Sequence, residues 1–155
     1  MGNHMNSRDL GPQYRNDDPF TARMRRHQSW HRATVLQVPC GPGPHASSTN
    51  TYGNMLREQD GERGLNFLTP ELAAFALHRQ GEFPKGIKRH RLLCNLMSSQ
   101  PMCFNLFGPL ALGVARAEDL LAALLGVADV RRVVRVVIEH APSPASDYLD
   151  DLTSF

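Results

Sequence analysis

The sequence predicts a mixed α/β (α+β) chain in which helices dominate and a single strand begins a sheet that the chain does not complete. Three observations carry this. Apolar residues recur at spacings of three and four in several stretches between residues 19 and 125, the period of a helix with one inward face. The run Val130 to Glu139 is instead dominated by β-branched residues, which suit a pleated strand. A length of 155 residues, 41% hydrophobic and 21% charged, suits one core with tails and argues against wholesale disorder, collagen-like repetition and a membrane bundle.

Taken in order, residues 1–16 have no apolar period and carry Gly, Pro, Asn and Asp, which predicts a disordered arm. Asp18 is placed to cap, and Pro19 suits the first position, of a helix running to about Val38. Its inward stripe reads Phe20, Met24, His27, Trp30 or His31, Val35 and Val38, which assigns Trp30 to the core. Pro39 stops the helix, and Cys40-Gly41-Pro42-Gly43-Pro44 cannot continue it. Residues 40–64 hold few large apolar side chains and many Gly, Ser, Thr and Asn, so they read as a long mobile loop.

Leu65-Asn66-Phe67-Leu68 returns to the core, and Thr69-Pro70-Glu71 opens a helix to about Gln80 with Leu72, Phe75, Ala76 and Leu77 inward. After a turn at Gly81 to Gly86, a helix from about Lys88 to Ser99 turns Leu92, Leu93, Leu96 and Met97 inward. The chain breaks near Ser99, and a short helix with Pro101 in its first turn carries Met102, Phe104 and Phe107 to a stop at Gly108-Pro109. A further helix is expected from about Arg116 to Leu125, closed by Gly126. The strand Val130–Glu139 then enters the core at Val136 to Ile138 and leaves an unpaired edge. These elements place one partial domain at residues 17–140, followed by a polar tail at 141–155 that carries Asp147, Asp150 and Asp151.

Seventeen basic against fifteen acidic side chains give a net charge of +2, too even to diagnose a nucleic-acid partner, so distribution matters more than the sum. Arg23, Arg25, Arg26, His27, His31 and Arg32 cluster on the first helix and Lys85, Lys88, Arg89, His90 and Arg91 farther on, with no acid between Arg23 and Glu58. Arg23, Arg26, Lys88, Arg89 and Arg91 are the candidate phosphate contacts, against the plain alternative of solvated helix faces. Three cysteines and no secretory leader point to a reduced, cytoplasmic setting. Neither Cys40-x₄-His45 nor Cys94-x₈-Cys103 has the spacing of a standard zinc site. The charge-free run Leu92 to Ala115 is interrupted by Asn95, Ser98, Ser99, Gln100, Pro101, Asn105 and Pro109, so it reads as the centre of a soluble domain with no membrane partner.

The most distinctive string is Asn95-Leu96-Met97-Ser98-Ser99-Gln100-Pro101-Met102-Cys103-Phe104-Asn105-Leu106-Phe107-Gly108-Pro109-Leu110. It resembles the signature of a family of poorly characterised bacterial restriction endonucleases in the PD-(D/E)XK nuclease superfamily. The Arg23 to Val38 helix, Leu65-Asn66-Phe67-Leu68 and the Glu139-His140-Ala141-Pro142 corner match the same family in the same order. The resemblance implies a mixed sheet flanked by helices, of which this chain would be the N-terminal helical half with the first core strand. It also implies DNA as partner and Mg²⁺-dependent phosphodiester hydrolysis by a strand-end carboxylate and an E-x-K triplet.

The chain departs from that pattern by ending at Phe155, where the family would continue into its catalytic Asp, and no E-x-K triplet follows. Glu139 is the one acidic residue that maps onto the implied metal site, so the expectation is a truncated, inactive fragment that holds no Mg²⁺ by itself. Asn95, Ser98, Ser99, Gln100 and Asn105 would line the cleft beside that site. The plain alternative makes them satisfied polar groups that stop and re-aim a helix. Self-association through the open strand edge, or docking of a missing C-terminal half, follows from the incomplete sheet. Two rival functions stand beside this one: a small helical protein-interaction module, and an enzyme completed by a separately encoded second half.

Overall fold

A computed structural model describes residues 10–113, 122–123, 126 and 136–138. Within them helices outnumber strands, and the sheet is a two-stranded antiparallel ribbon that does not close. Helix α1 spans Pro19–His31, with Asp18 accepting hydrogen bonds from the Phe20 and Thr21 amides at its N-terminus. A π-helical turn over Arg32–Leu36 continues it to Gln37, whose φ of 54° ends the helix. Strands β1 (Cys40–Pro42) and β2 (Thr51–Leu56) pair with Cys40 opposite Leu56 and Gly41 opposite Tyr52, so β2 bulges between those contacts. Helices α2 (Glu58–Glu62), α3 (Pro70–Glu82), α4 (Arg89–Cys94) and α5 (Ser99–Ala111) follow.

The core is built where these elements meet: Met55 and Leu56 of β2, Ala76 of α3, Ile87, Leu92, Leu93 and Cys94 around α4, Phe104 of α5, and Ile138. Phe75 and Phe104 lock α3 to α5 edge to face, with centroids 5.6 Å apart. Gly108 lets the two helices approach, because a Cβ there would run into the Leu72 side chain.

Several expectations are corrected. Residues 40–64 are not one long loop. They hold β1, β2 and α2, and β2 supplies Met55 and Leu56 to the core. The strand signal was masked because Gly53 and Asn54 break the apolar alternation, yet both are buried by close packing and hydrogen bonding. Residues 10–16 do not behave throughout as a loose arm, since the Pro12 carbonyl accepts from the Gly53 amide at 2.8 Å and Gln13 donates to Ser29 Oγ.

The α1 helix forms where predicted but faces the other way. Phe20, Trp30 and Val35 are exposed, so Trp30 is not a core residue. Ser29 and Arg32 are buried instead. Arg32 pays for its burial by donating Nε to the Gly53 carbonyl at 2.7 Å and Nη1 to the Val38 carbonyl.

Helix α4 stops at Cys94, short of Ser99, and α5 runs through Pro109 to Ala111. On α5 the predicted inward residues divide, Phe104 being fully buried while Met102 and Phe107 are exposed. Of the helix expected over 116–125, Ala122 and Ala123 are helical and the rest lies outside the described residues. Of the strand expected over 130–139, Val136, Val137 and Ile138 are described and none is in a strand; Ile138 enters the core at a bend. The remainder of that run and the tail at 141–155 lie outside the described residues.

Candidate functional site

The polar residues of the Asn95–Leu110 string sit at the junction of β2, α4 and α5. Asn95 follows the last residue of α4 and forms a bridge with Met55 of β2, while the Leu96 amide donates to the Asn54 carbonyl at 3.1 Å. Asn95 Oδ1 accepts from Asn54 Nδ2 at 2.9 Å and from the Met97 amide at 3.0 Å. Ser98 is buried and caps α5, its hydroxyl accepting from the Gln100 amide. Gln100, also buried, spans the preceding turn: Oε1 accepts from the Lys88 amide at 3.2 Å and Nε2 donates to the Gly86 carbonyl at 2.9 Å. Ser99 is exposed. Asn105 Nδ2 donates to the Asn66 carbonyl and its Oδ1 accepts from the Leu68 amide, each at 3.0 Å.

Asn54 and Asn66, which composition did not single out, complete a continuous relay. Arg25 grips Asp17 with Nε at 2.6 Å and Nη2 at 3.1 Å, and its Nη1 donates to Asn54 Oδ1 at 2.5 Å. Asn54 passes to Asn95, whose carbonyl accepts from Asn66 Nδ2 at 3.3 Å together with the Leu92 carbonyl at 3.0 Å. Asn66 then joins Asn105. The available signal for Asn66 was its place inside Leu65-Asn66-Phe67-Leu68, an amide among large apolar residues that has to find partners.

The basic candidates divide in the same way. Arg23, Arg26, Lys88 and Arg91 are exposed and form no ion pair among the described residues, whereas Arg89 meets Glu62 at 3.0 Å. Arg25 and Arg32, members of the same sequence cluster, point inward and are spent on Asp17, Asn54 and backbone carbonyls. Glu139 lies outside the described residues, so its surroundings stay an expectation.

Several of the described carboxylates are occupied. Asp60 is buried on α2, held by Arg57 at 2.8 Å and by Arg63 at 3.5 Å. The Thr21 hydroxyl beside Asp18 and the Thr69 hydroxyl beside Glu71 hold those two acids below the ordinary carboxylate range. Burial pushes the Cys94 thiol up to about 11, with Glu58 adding to the shift. A cleft of about 570 Å³ between residues 12–16 and 49–52 is lined by Tyr14, Arg15, Asn16, Asn50 and Tyr52 among others, and no carboxylate among the described residues lines it.

A family profile described as the PD-(D/E)XK nuclease superfamily matches residues 15–155. The chain belongs to the PD-(D/E)XK nuclease superfamily. No curated protein and no solved structure matches it. Members of this superfamily typically use Mg²⁺. The described residues do not fit that ion: no group of three or more His, Cys, Asp and Glu among them is placed to hold a metal. The 155 residues contain two lysines, Lys85 and Lys88, and the positions two before them are Phe83 and Gly86 rather than acids. Among the described residues no helix is long and apolar enough to cross a membrane.

Proposed function

We propose that this chain is a DNA-contacting part of a restriction-endonuclease-like nuclease, and that residues 1–155 alone do not hydrolyse DNA. The observation that carries the second half is the donor set. The superfamily's chemistry needs a carboxylate with a nearby acid-x-Lys triplet, and neither lysine here has an acid two positions before it. Glu139 would be a single ligand, and one carboxylate makes a poor site for a hard divalent ion. The DNA-contacting half is supported by membership of the superfamily and by four cations, Arg23, Arg26, Lys88 and Arg91, that are exposed and form no ion pair among the described residues. Asn95, Gln100 and Asn105 act in this reading as the scaffold that fixes α4 and α5.

The test incubates purified protein with supercoiled plasmid and Mg²⁺, alongside a binding titration at several salt concentrations. No nicking is expected, together with binding that weakens as salt rises. Mg²⁺-dependent cleavage abolished by Glu139→Ala would overturn the proposal. A protein-interaction role is the second reading, favoured by Met102 and Leu106, one turn apart and exposed on α5, with exposed Leu68 bonded nearby to Asn105. Its mark would be self-association or partner binding lost on Leu106→Lys.

A further inference from the structure

The α1 helix is turned inside out relative to an ordinary surface helix, and the aromatic residues of its outer face have no assigned role. Arg25, Ser29 and Arg32 lie on the side packed against β2, where Arg25 donates to Asn54 and Arg32 to the Gly53 carbonyl, while the Ser29 hydroxyl donates back to the Arg25 carbonyl. At 3.6 residues per turn, Phe20, Arg23, His27 and Trp30 fall within about 80° of arc on the opposite side. Phe20 is 62% exposed and Trp30 43%. Exposure of single apolar side chains is ordinary on a protein surface; what sets this face apart is that two exposed aromatics share it with arginines.

The rings are already ordered as stacking surfaces. His27 and Trp30 lie nearly parallel, 23° between planes and 5.9 Å between centroids, and the Arg23 guanidinium sits 5.6 Å above the Phe20 ring. Charge sets the sign of the ligand. From Pro19 to Arg57 there is no acidic residue, and neither Arg23 nor Arg26 is ion paired among the described residues. Flat rings interleaved with unpaired guanidinium groups match a chain of unstacked bases joined by phosphates. A closed duplex would offer the phosphates while keeping its base faces stacked away.

We infer that the outward face of α1 binds single-stranded DNA, with bases stacking on Trp30 and Phe20 and phosphates held by Arg23 and Arg26. This rests on the DNA-contacting reading above and narrows it to unpaired strands. Trp30 is the sole tryptophan of the chain, so the proposed contact reports on itself.

The experiment titrates the full 155-residue chain with a thymidine oligonucleotide and with a duplex of equal length, reading tryptophan fluorescence and the anisotropy of labelled DNA. The single strand is expected to quench Trp30 and to bind more tightly than the duplex. Trp30→Ala is expected to cut the preference for the single strand about tenfold, the range of one base–aromatic stack, and Trp30→Phe to restore most of it. Circular dichroism confirms that both variants keep their helices. Equal binding of both DNAs with unchanged fluorescence would overturn the stacking inference and leave the DNA-contacting reading intact. Binding of neither DNA at low salt would overturn both, and binding of the single strand with the Trp30→Ala preference unaltered would place the contact elsewhere.

Discussion

Replacing Arg25 by Met separates structural from phosphate-binding arginines. The side chain is 16% exposed and its partner Asp17 7%, so neither charge is well solvated in the folded protein. Met keeps much of the aliphatic stem but removes two bonds to Asp17, one to Asn54, and the guanidinium that lies 5.9 Å from the Tyr14 ring and 5.7 Å from the Tyr52 ring. Breaking a buried pair from one side costs about 3–5 kcal/mol, and the residual exposure of Arg25 places this case near 3 kcal/mol. For a chain of this length that lowers Tm by roughly 6–12 °C. Denaturant titration of Arg25→Met, Asp17→Asn and the double variant measures it, with a coupling of about 1–2 kcal/mol expected between the two sites. The DNA affinity of the folded protein should not change, because the guanidinium is already committed inward. A neutral or stabilising Arg25→Met, or a vanishing coupling, would refute the reasoning.

Two glycines on the same molecule should respond to alanine with opposite signs. At Gly53 the new Cβ would meet the Leu10 carbonyl oxygen and the Ser29 hydroxyl, and backbone cannot step aside, so Gly53→Ala should cost about 2 kcal/mol in a denaturant titration. At Gly81, in the last turn of α3 with nothing near its missing Cβ, the same change should stabilise by about 0.5 kcal/mol. Cys94 predicts an alkaline limit. Its thiol ionises near 9 when unfolded and near 11 when folded, so stability is flat below pH 9 and falls as pH rises from 9 toward 11, because the unfolded chain loses its proton first. At pH 8 a thiol reagent should modify Cys94 only on unfolding; equal rates for all three cysteines in native protein would contradict this.

Helix α3 was legible from end to end because its cap, first-turn proline and apolar spacing agree: Thr69 accepts from the Leu72 amide, and Leu72 and Ala76 are buried. Helix α1 shows where hydropathy misleads. Its existence was readable from Asp18 and Pro19, but its orientation was set by hydrogen bonds from Arg25 and Arg32 to β2, and a hydropathy period cannot see a polar group that is buried because it is fully bonded. The same blindness hid β2, whose Gly53 and Asn54 look like loop residues until their partners at Pro12, Arg32 and Asn95 are known. Of the candidate site, the odd composition of Asn95, Ser98, Gln100 and Asn105 was visible in one dimension. Their division of labour depends on Asn54 and Asn66, 41 and 29 residues away from Asn95 in the chain.

The amide relay from Asp17 to Asn105 also carries a consequence for the order of folding. Apart from Arg25 with Asp17, its side-chain links join residues at least 26 positions apart, so a nascent helix can form few of them on its own. Each closes a large loop, and loop entropy is regained only when β2, the Asn95 corner and the Asn66 segment are all in place. The relay is therefore expected to close only once β2, the Asn95 corner and the Asn66 segment are docked together. Substitutions at Asn54 or Asn66 should speed unfolding while leaving the folding rate nearly untouched, which makes these asparagines the bolt that keeps the finished protein shut rather than the seed from which it grows.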